Sequence, residues 1–291
     1  MTLMEKNLDK IIQLFDANRY YPLRVHAQDV QLDKKLLTIY DIYSYVQQKR
    51  YIAQSLNIHE FIGFLADKSL LYSFSISING KIYTRYKQNN QFDIYPFVYS
   101  FEKNGFFTMS TALKLQGLAD YKSSIIFYSH ELTIKYNKKN TLQQEDIDKA
   151  FMKGYRYTKK IASYLDYTIV VLEPKHTDRF EVIDIDGFQV SSINRALVEM
   201  IINIQYFKSY ENLLEIFMPI KKHLNIEKIF LVLKTMNLIY PYFNSIGFFL
   251  EHLGFSKQKL QIFKQEMTKL KFYLEKKKES YQYDEYWQIY F

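Results

Sequence analysis

The 291-residue sequence contains no cysteine and only eight glycines. The first absence excludes disulfides and thiolate metal sites and fits a reducing, cytoplasmic setting. The second leaves little from which to build a phosphate-cradling loop, and no Gly-rich loop, nucleophile elbow or Cys/His pair occurs. Long apolar runs are missing too. No stretch approaches the about eighteen residues of a membrane span, and Glu5 and Asp9 interrupt the N-terminus where a signal peptide needs an unbroken apolar run. There is no internal repeat and no low-complexity linker. The histidines (His26, His59, His130, His176, His223 and His252) show no paired spacing on one helix face, so neither a metal nor a cofactor is expected.

What is present reads as a folded chain. Hydrophobic residues make up 48% and charged residues 24%, and the length suffices for one large or two ordinary domains. A net charge of +8 favours a polyanionic partner, although Lys-rich composition alone also produces it. The 27 Tyr and 23 Phe are equally open between compositional bias and base stacking.

Apolar spacing predicts helices over residues 3–16 and 36–48, a short helical segment over Tyr51–Leu56, and a helix over His59–Leu71. Alternating residues on either side of Asn79-Gly80 then predict a hairpin, because a two-residue turn needs positive φ at both centres. Helix, short helix, helix, hairpin is the order of a winged helix-turn-helix, and a small α+β packing unit would give the same pattern. Lys49, Arg50, Lys68, Lys81, Arg85 and Lys87 outnumber Asp41, Glu60 and Asp67 there. Asn57 and His59 stand where a recognition helix would begin, Asn57 reading first as a helix cap, and Arg85 is the wing residue expected to meet DNA.

The wholly polar Lys87–Gln91 stretch suggests a boundary at residue 90, after a 36–90 winged helix and a 1–35 helical extension. From there the pattern is mixed α/β. Ser110 reads as the N-cap of a helix ended by Gly117, residues 124–129 and 168–173 read as buried strands, and Phe180–Val190 reads as a second hairpin turning at Asp186-Gly187. After Ser191 helices are expected to about residue 278. The fold class is therefore α+β, with a winged helix, then a mixed α/β and mainly helical C-terminal domain over 91–291.

Asp184 and Asp186 share a strand face that could hold a divalent ion, but the turn accounts for them. Lys135–Lys160 and Lys257–Glu279 are basic, the second on an expected helix with a stripe of Leu260, Phe263, Met267, Leu270 and Leu274. Arg195 and Glu199 lie one helical turn apart and would form a surface pair of under ~1 kcal/mol. Arg195 and Glu251, opposite charges on separate apolar helices, are expected to approach each other.

Gly80-Lys81-Ile82-Tyr83, Ser110–Leu118, Ser192–Glu199 and Ile246–Gly254, in that order and with Asp284-Glu285-Tyr286-Trp287 near the end, resemble the AbiEi-type antitoxins, transcriptional regulators of bacterial type IV toxin–antitoxin (abortive infection) systems. Ser110, Gly117, Arg195, Glu199, Gly247 and Glu251 are the residues that carry the signature, with Ile193 replacing a usual proline. The resemblance implies an N-terminal winged helix that represses its own operon on double-stranded DNA with inverted repeats. It implies a C-terminal domain that neutralises a co-encoded nucleotidyltransferase-like toxin, with or without direct contact, and no catalysis of its own. The competing expectation is a protein- or RNA-interaction module using the basic C-terminal helices, and an enzyme comes third.

Overall fold

In the computed structural model, which describes residues 2–24, 37–119, 123–132, 142–240, 242–276 and 278–291, the chain divides into two units, Met1–Lys103 and Asn104–Phe291. Helices and sheets are mixed through the chain, in agreement with the α+β class. No helix among the described residues is long and apolar enough to cross a membrane.

The first unit starts with α1 (Leu3–Lys6), α2 (Leu8–Ile12) and a two-residue strand, β1 (Tyr21–Pro22). Helix α3 (Ile39–Gln48) begins at a capping box: the Thr38 hydroxyl accepts from the Asp41 amide, and the Asp41 carboxylate accepts from the Thr38 amide. Asn57 and Glu60 repeat the device at α4 (Ile58–Asp67). Both helices stop at a left-handed residue, Arg50 and Ser69, each at φ 56°. There Tyr51 N–H donates to Val46 O and Leu70 N–H to Leu65 O, closing the last turns. Tyr51–Leu56 forms turns rather than the expected short helix, since Ile52 is its only fully buried side chain and offers no apolar face to a helix.

Ile39, Ile42 and Val46 of α3 and Ile58, Phe61 and Leu65 of α4 join Met4, Ile11 and Phe15 in one core. The N-terminal helices are thus part of this unit and not an extension. Residues 25–35 of the expected extension, and Leu36 of the expected second helix, lie outside the described residues. Strands β2 (Tyr72–Ile78) and β3 (Lys81–Lys87) form the predicted hairpin, with Asn79 at φ 49° and Gly80 at φ 79°. β1 pairs with β3, so the sheet order is β1-β3-β2. Helix α5 (Ile94–Tyr99), capped by Asp93, follows at once. Around it, Phe92 packs on Phe74 at 5.6 Å and Phe101 on Tyr83 at 4.8 Å. The polar Lys87–Gln91 stretch is therefore a turn inside the unit, which ends after Lys103 rather than at residue 90.

The second unit runs β4 (Phe106–Phe107), α6 (Met109–Leu115), β5 (Ile125–Ser129), α7 (Gln144–Met152), β6 (Ile161–Tyr164), β7 (Tyr167–Leu172), β8 (Val182–Ile185) and β9 (Phe188–Ser191). The strands form one sheet in the order β6-β7-β5-β4-β9-β8, with β5 parallel to β7 and β4 parallel to β9. The buried strands and the β8–β9 hairpin stand where the sequence put them. Asp184 accepts from the Gly187 amide at 3.1 Å and from Gln189 at 2.8 Å, which commits its carboxylate to the turn.

Helices α8 (Ile193–Ile202), α9 (Tyr210–Phe217), α10 (Ile226–Met236), α11 (Phe243–His252) and α12 (Gln261–Gln265) complete the layer. Every residue of α8 from Ile193 to Ile201 is buried, as is α11 from Phe243 to Leu250, and the core gathers on these two. The helix expected to run to residue 278 stops at Gln265. Beyond it β10 (Phe272–Tyr273), β11 (Tyr283–Asp284) and β12 (Ile289–Tyr290) form a small sheet in the order β10-β12-β11. Tyr273 stacks on Tyr290 at 4.7 Å and Tyr283 packs on the same ring at 4.7 Å. Such cross-strand aromatic contacts outweigh the helical spacing of the leucines before them.

Candidate functional site

Two sets of residues were singled out by sequence, one in each unit. In the first, Lys49, Arg50, His59 and Lys68 are exposed around the α3–α4 pair. Arg50 is at the left-handed C-terminus of α3, and His59 occupies the first turn of α4. The Lys49 ammonium lies 5.5 Å from the Tyr45 ring, and the Lys68 ammonium 3.9 Å from Glu5. Asn57 is the cap, its side chain accepting from the His59 and Glu60 amides at 2.9 and 3.0 Å. That role occupies it and removes it from the set of base-reading candidates. On the hairpin, Lys81 is exposed and donates to Glu102 at 3.2 Å, while Ile82 beside it is 70% exposed.

Arg85 departs from its expected place on a DNA-facing wing. It is buried, and its guanidinium donates to Thr84 O, Ser100 O, Ser100 Oγ and Phe101 O. The cause is strand parity. Arg85 alternates with Tyr83 and Lys87 on one face of β3, opposite Phe74 of β2, and that face packs against the aromatic residues around α5. A phosphate contact is not open to it.

In the second unit Arg195 is the centre of a buried ionic network. Its Nε donates to Glu199 at 2.7 Å, one terminal nitrogen to Thr177 Oγ1 at 3.1 Å and Phe180 O at 2.7 Å, and the other to Glu131 at 3.0 Å. Its plane lies over the Phe106 ring at 4.7 Å. Glu199 also accepts from Ser191 at 2.7 Å and from the Thr108 hydroxyl. Glu131 accepts the Thr177 amide at 2.7 Å, the Thr177 hydroxyl and the Arg179 amide. Burial alone would raise the Glu131 pKa. The Thr177 hydrogen bonds and the Arg195 charge outweigh it and hold the carboxyl below the ordinary glutamate range. The Arg195–Glu199 pair is therefore interior, with side-chain exposures of 1% and 8%, and not the solvated pair expected from spacing. Sequence gave no signal for Glu131, Thr108 or Thr177, which reach the network from connecting segments just after β5, just after β4 and between β7 and β8.

Glu251 does not meet Arg195. It accepts from the Trp287 indole at 2.5 Å and pairs with Lys257 at 3.3 Å. Gly247, one turn earlier on α11, lies under the same indole: a Cβ there would sit 2.1 Å from Trp287 Cζ3. The two signature helices thus carry separate constellations, one ionic and one built on the single tryptophan. Ser110 is inside α6 rather than its cap, which is Thr108, because the helix starts at Met109. Gly117, at φ 67°, ends α6, with Leu118 N–H donating to Leu113 O at 3.0 Å. The basic run Lys135–Lys160 lies partly outside the described residues, and the run from Lys257 has no long helix to display it.

No family model and no curated protein matches the chain. In fold it is similar to the RV2827C protein of Mycobacterium tuberculosis, known from a crystal structure. The TM-score is 0.60 at 10% sequence identity, with 99% of this chain and 90% of that one covered. That likeness concerns architecture alone.

Proposed function

We propose that the chain is a DNA-binding antitoxin of the AbiEi type, whose first unit acts as a winged helix repressing its own operon and whose second neutralises a co-encoded nucleotidyltransferase-like toxin. One observation carries the DNA half. Helix, short strand, two capped helices and an Asn-Gly hairpin follow one another, and the short strand pairs with the far arm of the hairpin in the order β1-β3-β2. In that arrangement α4 is the recognition helix and the 79–82 turn is the wing. Helix α4 carries exposed Glu60 and Asp67 and no Lys or Arg. Phosphate contacts accordingly come from Lys49, Arg50 and Lys68 at its flanks and Lys81 on the wing, and His59 is the base-reading side chain.

The toxin half rests on the resemblance of the Ser110–Leu118, Ser192–Glu199 and Ile246–Gly254 stretches. The test combines a reporter driven by the DNA upstream of the gene with a toxin-rescue growth assay. Lys49→Ala with Arg50→Gly should release the reporter and leave rescue intact. A reporter indifferent to the wild-type chain would contradict the proposal.

A second reading, a protein- or RNA-interaction module, is favoured by one surface. Lys149, Lys153, Arg156 and Lys159 occur with no acid between them in sequence, beside exposed Met152, Tyr157 and Leu165 and the edge strand β6, while Lys160 pairs with Glu173 at 2.7 Å. Binding that responds to Arg156→Ala and Lys159→Ala but not to the first-unit substitutions would select it.

A further inference from the structure

A cavity of about 210 Å³ opens in the second unit beside the Arg195 network. It lies where two parallel strands end: Ser129 is the last residue of β5 and Leu172 the last of β7, and both line it. Carboxyl ends of parallel strands are the usual ligand position in open α/β sheets. Leu172, Ile202 and Met236 supply apolar lining, and Ser129, Glu173, Lys175, Arg195, Glu199 and Asn203 supply polar and charged lining.

The polar lining has unused capacity. Ser129 is 2% exposed, and its hydroxyl has no protein partner among the described residues. Asn203 donates its amide N–H to Glu199 O at 2.9 Å, leaving its side-chain oxygen as an acceptor. The charged side chains that line the cavity balance, Glu173 and Glu199 against Lys175 and Arg195, with Arg195 itself engaged by Glu131 and Glu199. An occupant that brings N–H donors is matched to the Ser129 and Asn203 oxygens, and the balanced charge suits a neutral one. The volume limits the occupant further. A cavity of about 150 Å³ accepts benzene, whereas drug-sized ligands need roughly 300 Å³ or more.

We propose that this cavity binds a nucleobase-sized ring carrying amino or amide N–H groups, its flat face on Ile202 and Met236 and its donors toward Ser129, Asn203 and Glu199. The inference is independent of the DNA and toxin assignments. It is tested on the full chain by saturation-transfer NMR with cytosine and adenine as probes and toluene as the apolar control. Cytosine or adenine should give transfer, Ser129→Ala should weaken binding about five-fold through loss of one hydrogen bond, and Ile202→Phe should abolish it by filling the space. A melting curve establishes that each variant is folded; if Ile202→Phe is not, Ser129→Ala decides, since it removes one oxygen and adds nothing. Toluene binding without the amino rings, amino-ring binding unchanged in Ser129→Ala, or no binding of any probe would each overturn the proposal.

Discussion

Replacing Arg195 by methionine removes the guanidinium that pairs with two buried carboxylates while keeping most of the side-chain volume. Four donated hydrogen bonds disappear, to Glu199, Thr177, Phe180 O and Glu131. Glu131 and Glu199 then remain at side-chain exposures of 4% and 8% without a guanidinium partner, the His176 ring lying 3.5 Å from Glu131. Breaking a buried pair from one side costs about 3–5 kcal/mol, against the under ~1 kcal/mol of a solvated pair. A unit whose total stability is about 5–15 kcal/mol would lose a large part of it. Urea unfolding followed by the fluorescence of Trp287, the only tryptophan, reads this directly. With a slope of about 2 kcal/mol/M, the midpoint should fall by roughly 2 M with the slope unchanged. Adding Glu131→Gln to Arg195→Met should restore part of the loss, because one of the two stranded charges is removed. A midpoint within about 0.5 M of wild type would refute the reasoning and mean that the pair behaves as a solvated one.

The depressed Glu131 pKa makes the same network sensitive to acid: its stabilisation is fully present above the ordinary glutamate value of 4.5 and is lost as pH falls below that through the lower folded value. The stability difference between wild type and Glu131→Gln should therefore shrink on acidification from pH 5 downward, and a difference constant with pH would count against it. Gly247→Ala places a methyl group inside the Trp287 ring, so it should destabilise the second unit by about 1–3 kcal/mol and shift the Trp287 emission; an unaltered spectrum and midpoint would show that the ring can move aside. Arg50→Gly relieves a left-handed non-glycine residue and should hold or raise stability by up to about 1 kcal/mol while weakening DNA binding, a combination that loss of structure cannot produce.

The parts of this fold that were legible in the sequence are those fixed by local chemistry. Asn79-Gly80 and Asp186-Gly187 specify their turns because positive φ is needed there and few residues supply it, and both hairpins formed. The apolar spacing of Ile39, Tyr40, Tyr43 and Val46 likewise pointed to α3, although the face it buries is Ile39, Ile42 and Val46. What was not legible depends on partners far along the chain. Arg85 looked like a wing residue until the α5 region, several residues past a polar turn, covered its strand face. Arg195 and Glu199 looked solvated because nothing near them in sequence announces Glu131 or Thr108. The stripe from Leu260 to Leu274 has helical spacing, yet Phe272 and Tyr273 pair with Ile289 and Tyr290, a choice made by residues at the other end of the segment. Gly117 ends α6 as its position suggests, but the physical requirement at Gly247 became visible only with Trp287 seated against it.

The central claim, that the first unit binds DNA through the flanks of α4 and the wing, is tested most directly by fluorescence anisotropy. The duplex is taken from the gene's own upstream region and titrated at salt concentrations from about 50 to 200 mM. The account predicts tighter binding than to an unrelated duplex, and a linear fall of log affinity with log salt. Lys49→Ala and Arg50→Gly should each lower the slope by about 0.9, whereas Arg85→Ala, whose side chain is spent on Ser100 and Phe101 carbonyls, should lower stability instead. Equal affinity for both duplexes, or a slope untouched by Lys49→Ala and Arg50→Gly, would contradict it.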